Sequence, residues 1–114
     1  MEKSVGRFDD LEARICEAIA AAVAVRIKYQ DAARLDGEHW RIIAPLALYV
    51  SDKSRVCMVG EEYREFHQSS LFIGARTFEI EKIAELEITE FSCVPTWALD
   101  YSQKKFRNGI LCRR

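Results

Sequence analysis

The stretch WRIIAPLALYV, Trp40 to Val50, reads as one extended segment interrupted by a proline. Pro45 has no N–H to give to a sheet ladder, so it marks an edge, a bend or a bulge. Trp40–Ala44 and Leu46–Val50 are then the two halves of one bent strand. Bends of this kind let a short antiparallel sheet curl and close. In the first half Arg41 shares parity with Ile43 and Pro45, which places a guanidinium at the start of an otherwise apolar face.

Upstream, the spacing predicts a helix. Asp9 and Glu12 make a D-x-x-E start resembling a capping box. Leu11, Ile15, Ile19 and Ala22 follow at helical intervals, with Cys16 and Val23 beside them. The period then drops to two in VRIKYQ, where Val25, Ile27 and Tyr29 alternate with Arg26 and Lys28, a strand with one wet basic face. DAARLDGEH is a polar turn region centred on Asp36-Gly37.

Downstream, SDKS is a turn and RVCMVGEEY a strand apolar enough to be central. Arg64–Gly74 has no clean period and reads as a loop. RTFEIEKI is a fourth strand, with Arg76 heading the face of Phe78 and Ile80. AELEITEF is a fifth, ended by Pro95. Trp97, Tyr101 and Phe106 lie at roughly helical spacing in the tail, with Gly109 as a stop. The expected fold is therefore mainly β with an N-terminal helix: a small, bent, five-stranded antiparallel barrel of the SH3-like or Sm-like kind. Residues 1–95 form the barrel domain, and 96–114 a C-terminal extension, partly helical.

The 114 residues suit one domain with its own core, and 49% hydrophobic with 31% charged residues is a globular balance. A net charge of -1 argues against a non-specific nucleic-acid binder, so any nucleic-acid contact must come from a local patch. Cys16, Cys57, Cys93 and Cys112 form no C-x-x-C pair and have no histidine at metal-ligand spacing. Cys16 and Cys57 lie in apolar settings and read as buried thiols, which points to a reducing cytoplasm. The apolar run Ala18–Val25 is too short to span a bilayer, and no cleavage-site pattern marks a signal peptide. No membrane association, cofactor or metal is expected.

Motifs for catalysis are missing: no G-x-S-x-G, H-E-x-x-H, P-loop or G-x-G-x-x-G occurs. A Cys57/His67 dyad is disfavoured because Val56, Met58 and Val59 frame Cys57 as core. Glu79, Glu81, Glu85 and Glu87, spaced by two, read as a solvated acidic strand face. The chain is expected not to be an enzyme. Arg41 and Arg76 admit two readings. Each can be a rim arginine that lays its methylenes over the core. Alternatively, two planar forks on neighbouring rims grip a phosphate, carboxylate or nucleic-acid backbone, with Tyr29 as stacking face.

Taken in order, four segments resemble the WYL domain, a bacterial module often carried behind a helix-turn-helix in transcription regulators. ICEAIAAAVAVRIKY (Ile15–Tyr29) is similar to the family's opening helix and strand. RIIAP (Arg41–Pro45) matches R-x-x-x-P, with Leu48 where a leucine or similar residue follows. RTFEIEKI (Arg76–Ile83) matches R-x-F-x-hydrophobic-x-R-I, with Lys82 in place of the second arginine. EITEFSCVP resembles the closing strand. The tripeptide that names the family falls at Val56-Cys57-Met58, where only hydrophobicity survives. About eight residues precede the first helix, so a DNA-reading element ahead of it is not expected.

The resemblance implies a barrel with a basic pocket for nucleic acid or a nucleotide-like anion, in bacterial or phage regulators. It carries over to Tyr29, Arg41 and Arg76, then to Lys82, and to His67 and Ser69 in the connecting loop. Arg26 and Lys28 join as a basic face from strand parity alone. The expected partner is an anionic ligand: single-stranded RNA or DNA, or a nucleotide. The competing reading is a protein-interaction module, a homodimer or a unit docked on a partner through an edge strand or the C-terminal aromatic segment.

Overall fold

The computed structural model describes residues 7–30, 40–63, 72–93 and 99–114. In chain order these form α1 (Arg7–Ala21), β1 (Val23–Tyr29), β2 (Arg41–Val50), β3 (Val56–Tyr63), β4 (Phe72–Glu79), a 3-10 turn (Ile80–Lys82), β5 (Ile83–Ser92), a second 3-10 turn (Lys104–Phe106) and β6 (Ile110–Arg113). The chain is mainly β with one N-terminal helix, as expected. The expected Asp36-Gly37 turn, Pro95 and Trp97 lie outside the described residues.

Strand order is β4-β3-β2-β1-β5, with β6 also paired to β2, and every pairing is antiparallel. β2 organises the sheet. One of its edges pairs with β3 from Ile42 to Val50. The other pairs with β1 through Arg41–Ile43 and with β6 through Ala47–Tyr49. Pro45 falls in the gap between those two ladders, and the β2–β3 register shifts between Pro45 and Ala47. The bent strand read from the proline is present, with a bulge at the bend.

Alternation sorts the side chains onto two faces. The inner one joins Val25, Ile27, Ile43, Leu48, Met58 and Phe78 to Leu11, Ile15, Ala18 and Ile19 of α1, so the helix covers this face of the sheet. Leu11, Ile15 and Ile19 are positions that helical spacing selects, while Ala22, expected as the next, lies just past the helix end with φ +57°. On the outer face Ala47, Tyr49, Cys57, Val59 and Phe106 form a second cluster.

Four local readings change. The helix begins at Arg7, ahead of the D-x-x-E start assigned to Asp9. β4 begins at Phe72, inside the segment read as loop, and stops at Glu79, where a 3-10 turn replaces the rest of the expected strand. The C-terminal segment, expected to be partly helical, holds a 3-10 turn and no α-helix among its described residues. It supplies a sixth strand, and Phe106 packs edge-on against Tyr49 with ring centroids 4.9 Å apart. Tyr101 and Phe106 do meet, with ring centroids 5.2 Å apart, but through a bend and a 3-10 turn ahead of the strand. Finally, Cys16 is not a thiol. It forms a disulfide with Cys112 across 96 residues of chain, tying α1 to β6. Spacing rules detect local cysteine motifs, and this pair exists only because β6 returns beneath the helix. Cys57 is a buried free thiol, as expected, and burial pushes its pKa up. No helix among the described residues is long and apolar enough to cross a membrane.

Gly60 faces Pro45 across the bend. A Cβ there would sit 2.6 Å from the Ala44 carbonyl oxygen and 2.7 Å from Ile43 Cγ2. Only hydrogen fits where β2 turns over β3. Gly60→Ala should therefore lower the unfolding free energy by about 1–3 kcal/mol, the usual range for overpacking, read from urea denaturation. An unchanged midpoint would show that the two strands part freely at the bend.

Candidate functional site

Three strands deliver the site to one end of the inner face. Arg41 lies at the start of β2, Glu62 near the end of β3, and Arg76 in the middle of β4. Glu62 stands opposite Ile43 on one side and Gly74 on the other, so Arg41 and Arg76 reach it diagonally from its two neighbours. Arg41 takes the Glu62 carboxylate bidentately, Nε to Oε2 at 2.9 Å and Nη2 to Oε1 at 2.8 Å. Arg76 Nε stands 3.7 Å from the same Oε1, and its Nη1 donates to the Ala75 carbonyl at 3.0 Å.

Gly74 makes room for this. Its φ is +151°, and a Cβ would lie 2.9 Å from Arg76 Nη1, so the guanidinium rests over the bare backbone directly across from Glu62.

The two arginines differ in burial. Relative side-chain exposure is 11% for Arg41, 6% for Glu62 and 45% for Arg76. Arg41 also sits on aromatic rings, its Cζ 4.8 Å from the Phe78 centroid and 5.9 Å from that of Tyr29. Tyr29 and Phe78 meet edge-on at 5.0 Å. The Tyr29 hydroxyl accepts the Glu79 backbone N–H at 2.9 Å, and burial pushes its pKa up. Tyr29 therefore works here as a fixed ring beside the arginine.

The remaining expected residues fall elsewhere. Lys82 Nζ is 3.9 Å from Glu79, a different carboxylate from the one the arginines share. There a cleft of about 350 Å³ is lined by Tyr29, Ser51, Lys53, Arg55, Cys57 and Glu79, and neither Arg41 nor Arg76 lines it. His67 and Ser69 lie outside the described residues. Arg26 and Lys28 share a face, but each opposes a glutamate of β5 in register, Arg26–Glu87 at 2.9 Å and Lys28–Glu85 at 3.1 Å. The Trp40 ring lies against both cations. This surface is a charge-balanced ladder rather than a basic face.

The single acidic face expected from Glu79, Glu81, Glu85 and Glu87 is likewise divided. Glu79 at the end of β4 and Glu81 in the 3-10 turn hold Arg55 at 2.7 and 3.3 Å, apart from the β5 pair Glu85 and Glu87. Among the described residues no cluster of His, Cys, Asp or Glu could hold a metal ion.

Sequence reasoning missed Glu62 and its neighbour Glu61. The signal was present: VGEEY puts two acids inside an apolar central strand, and a buried carboxylate needs partners. The strand's alternation sends them to opposite faces. Glu62 meets the arginines, while Glu61, fully buried, accepts the Tyr63 hydroxyl at 2.6 Å. Burial and that contact push the Tyr63 phenol upward.

No protein-family model matches the chain, and no curated protein matches it. Its fold has a solved likeness. Proteasome accessory factor B/C (PafBC) of Arthrobacter aurescens superposes with a TM-score of 0.61 at 22% sequence identity, over 94% of this chain. The match takes up 16% of the PafBC chain, so this domain spans about a sixth of that protein's length. At that identity the likeness is one of fold.

The unequal burial separates the arginines energetically. Arg41→Met leaves a buried carboxylate with only a loose partner and should cost about 3 kcal/mol in chemical denaturation. Arg76→Met removes an exposed, loosely held cation and should cost under about 1 kcal/mol. Equal losses would mean that the two arginines share Glu62 equally.

Proposed function

We propose that this chain is a non-catalytic regulatory domain of WYL type that binds an anionic ligand, a nucleotide or single-stranded nucleic acid, at the Arg41–Arg76 rim. The observation that carries the proposal is the convergence of two guanidinium groups from separate strands on one end of the barrel face, beside Tyr29 and Phe78. Guanidinium forks match phosphate geometry, and an adjacent ring offers a base a stacking surface. The four motifs that resemble the WYL family support the reading. The fold likeness to a portion of PafBC fits a domain that also occurs within longer chains. The cytoplasmic placement draws on Cys16 as a thiol and loses that support, because a Cys16–Cys112 disulfide persists only under oxidising conditions.

Fluorescence anisotropy with labelled single-stranded RNA and DNA, and competition by nucleotides, tests the assignment. Arg76→Ala is the informative variant, because Arg41 carries structure. Wild type should bind, Arg76→Ala at least about fivefold more weakly, and the slope of log affinity against log salt should shrink by about one. Equal binding by the variant removes the rim from the site. Absence of binding by wild type removes the function.

A second reading, docking or homodimerisation through an edge strand, is favoured by β5, where Ile88 and Phe91 are exposed large hydrophobics. Its aromatic-tail form loses ground, since Phe106 is buried against the sheet. Truncating residues 96–114 would remove β6 and Cys112, so Phe91→Ser is the cleaner probe. Light scattering should show a dimer that this substitution converts to monomer. A monomeric wild type rules the reading out.

A further inference from the structure

We infer that Glu62 sets the affinity of the anion site by acting as its internal occupant, holding Arg41 permanently and releasing Arg76 to an incoming phosphate. The inference rests on the anion-binding reading above and names the residue that regulates that site.

The geometry divides the labour. The Glu62–Arg41 contact is short, two-pronged and nearly closed to solvent. Breaking it would strand two charges in a poorly solvated place, so a ligand does not compete for it. The Glu62–Arg76 contact is single, 3.7 Å long and on an exposed side chain. Screened by water, it holds Arg76 weakly. The other tie on Arg76 is the exposed Nη1 bond to the neighbouring Ala75 carbonyl at 3.0 Å, and Gly74 presents no Cβ in the space beside Nη1. An arriving phosphate therefore takes Arg76 while Arg41 stays with Glu62 and contributes field.

Glu62 has two opposed effects on binding. It orients both guanidinium groups, which reduces the ordering a ligand must impose. It also contributes negative charge within contact distance of the ligand's first cation, which weakens any anion. A phosphate dianion gains more from Arg76 than a carboxylate does and suffers more from Glu62. The site is thus held at low affinity by a group that no ligand displaces. Neutralising that group while keeping its shape should release the suppressed affinity. Gln at this position still offers Arg41 a carbonyl oxygen but carries no charge.

The experiment is calorimetric titration of inorganic pyrophosphate, with labelled single-stranded RNA in parallel, into wild type, Glu62→Gln and Glu62→Asp. Circular dichroism and urea midpoints establish that each variant is folded. Glu62→Gln should bind pyrophosphate about tenfold more tightly than wild type, with a steeper salt dependence. Glu62→Asp is one methylene shorter and keeps the Arg41 charge compensated while withdrawing from Arg76. It should fall between the two, and it decides the question if Glu62→Gln does not fold. Wild type that binds while both folded variants bind equally or more weakly overturns this inference and leaves the anion site standing. Failure of every protein to bind either probe overturns both. Adding Arg76→Ala to Glu62→Gln should abolish the gain, and a retained gain would place the binding elsewhere and overturn the assignment.

Discussion

The bend of β2 at Pro45 is the constraint on which the other features depend. A single strand has two edges, yet β2 pairs with three others. It does so by giving β3 one whole edge and dividing the other between β1 and β6. The division needs a break in the ladder and a change in direction, and a residue without an N–H suits that place. Gly60 completes it from the opposite strand, where any side chain would strike the Ala44 carbonyl. The curl that results makes an inner face for α1 to cover. It also turns the starts of β2 and β4 toward the same end of β3, where Glu62 lies.

Charge at that end follows from how the inner face terminates. Ile43, Met58 and Phe78 fill it, and beyond them the alternation continues with Arg41, Glu62 and Arg76. A carboxylate so nearly enclosed is unfavourable unless paired with good geometry. Arg41 supplies that geometry, and the Phe78 ring shields the pair from water while accepting the cation on its face. The ion pair is best understood as closing the core at its polar margin. Glu61 shows the same logic on the other face, with a tyrosine hydroxyl where Glu62 has a guanidinium.

Period and proline made much of this visible in the sequence. The helix face through Leu11, Ile15 and Ile19, the bent β2, the central β3 and the position of Arg76 ahead of Phe78 and Ile80 were all legible, because each depends on local alternation. What escaped was set by long-range return of the chain. β6 is four residues long, too short for a period to register, and its partner strand lies far back in the chain, so that only folding brings Ile110 to Tyr49. The Cys16–Cys112 bond follows from the same return. Arg26 and Lys28 looked like a basic face because parity places charges on a surface without saying what the neighbouring strand brings. Glu85 and Glu87 arrive from β5 in register and balance them.

That balance also indicates which cations are candidates for binding. With 17 basic and 18 acidic residues, the chain has little net field to attract a polyanion from a distance. Any selectivity for an anion would have to come from local geometry. Arg26, Lys28 and Arg55 each face glutamates at 3.1 Å or closer on the outer surface. Such pairs contribute little to stability, but each lowers the attraction of its cation for another anion. Arg76 differs in kind. Its carboxylate is held by a stronger partner, its own contact is longer, and the aromatic pair of Tyr29 and Phe78 lies on the same inner face. A site for a small anion needs a cation that can be reached and whose present partner is already satisfied. On this barrel the arrangement of Arg41, Glu62 and Arg76 meets both conditions, because the second arginine shares a carboxylate that the first already holds.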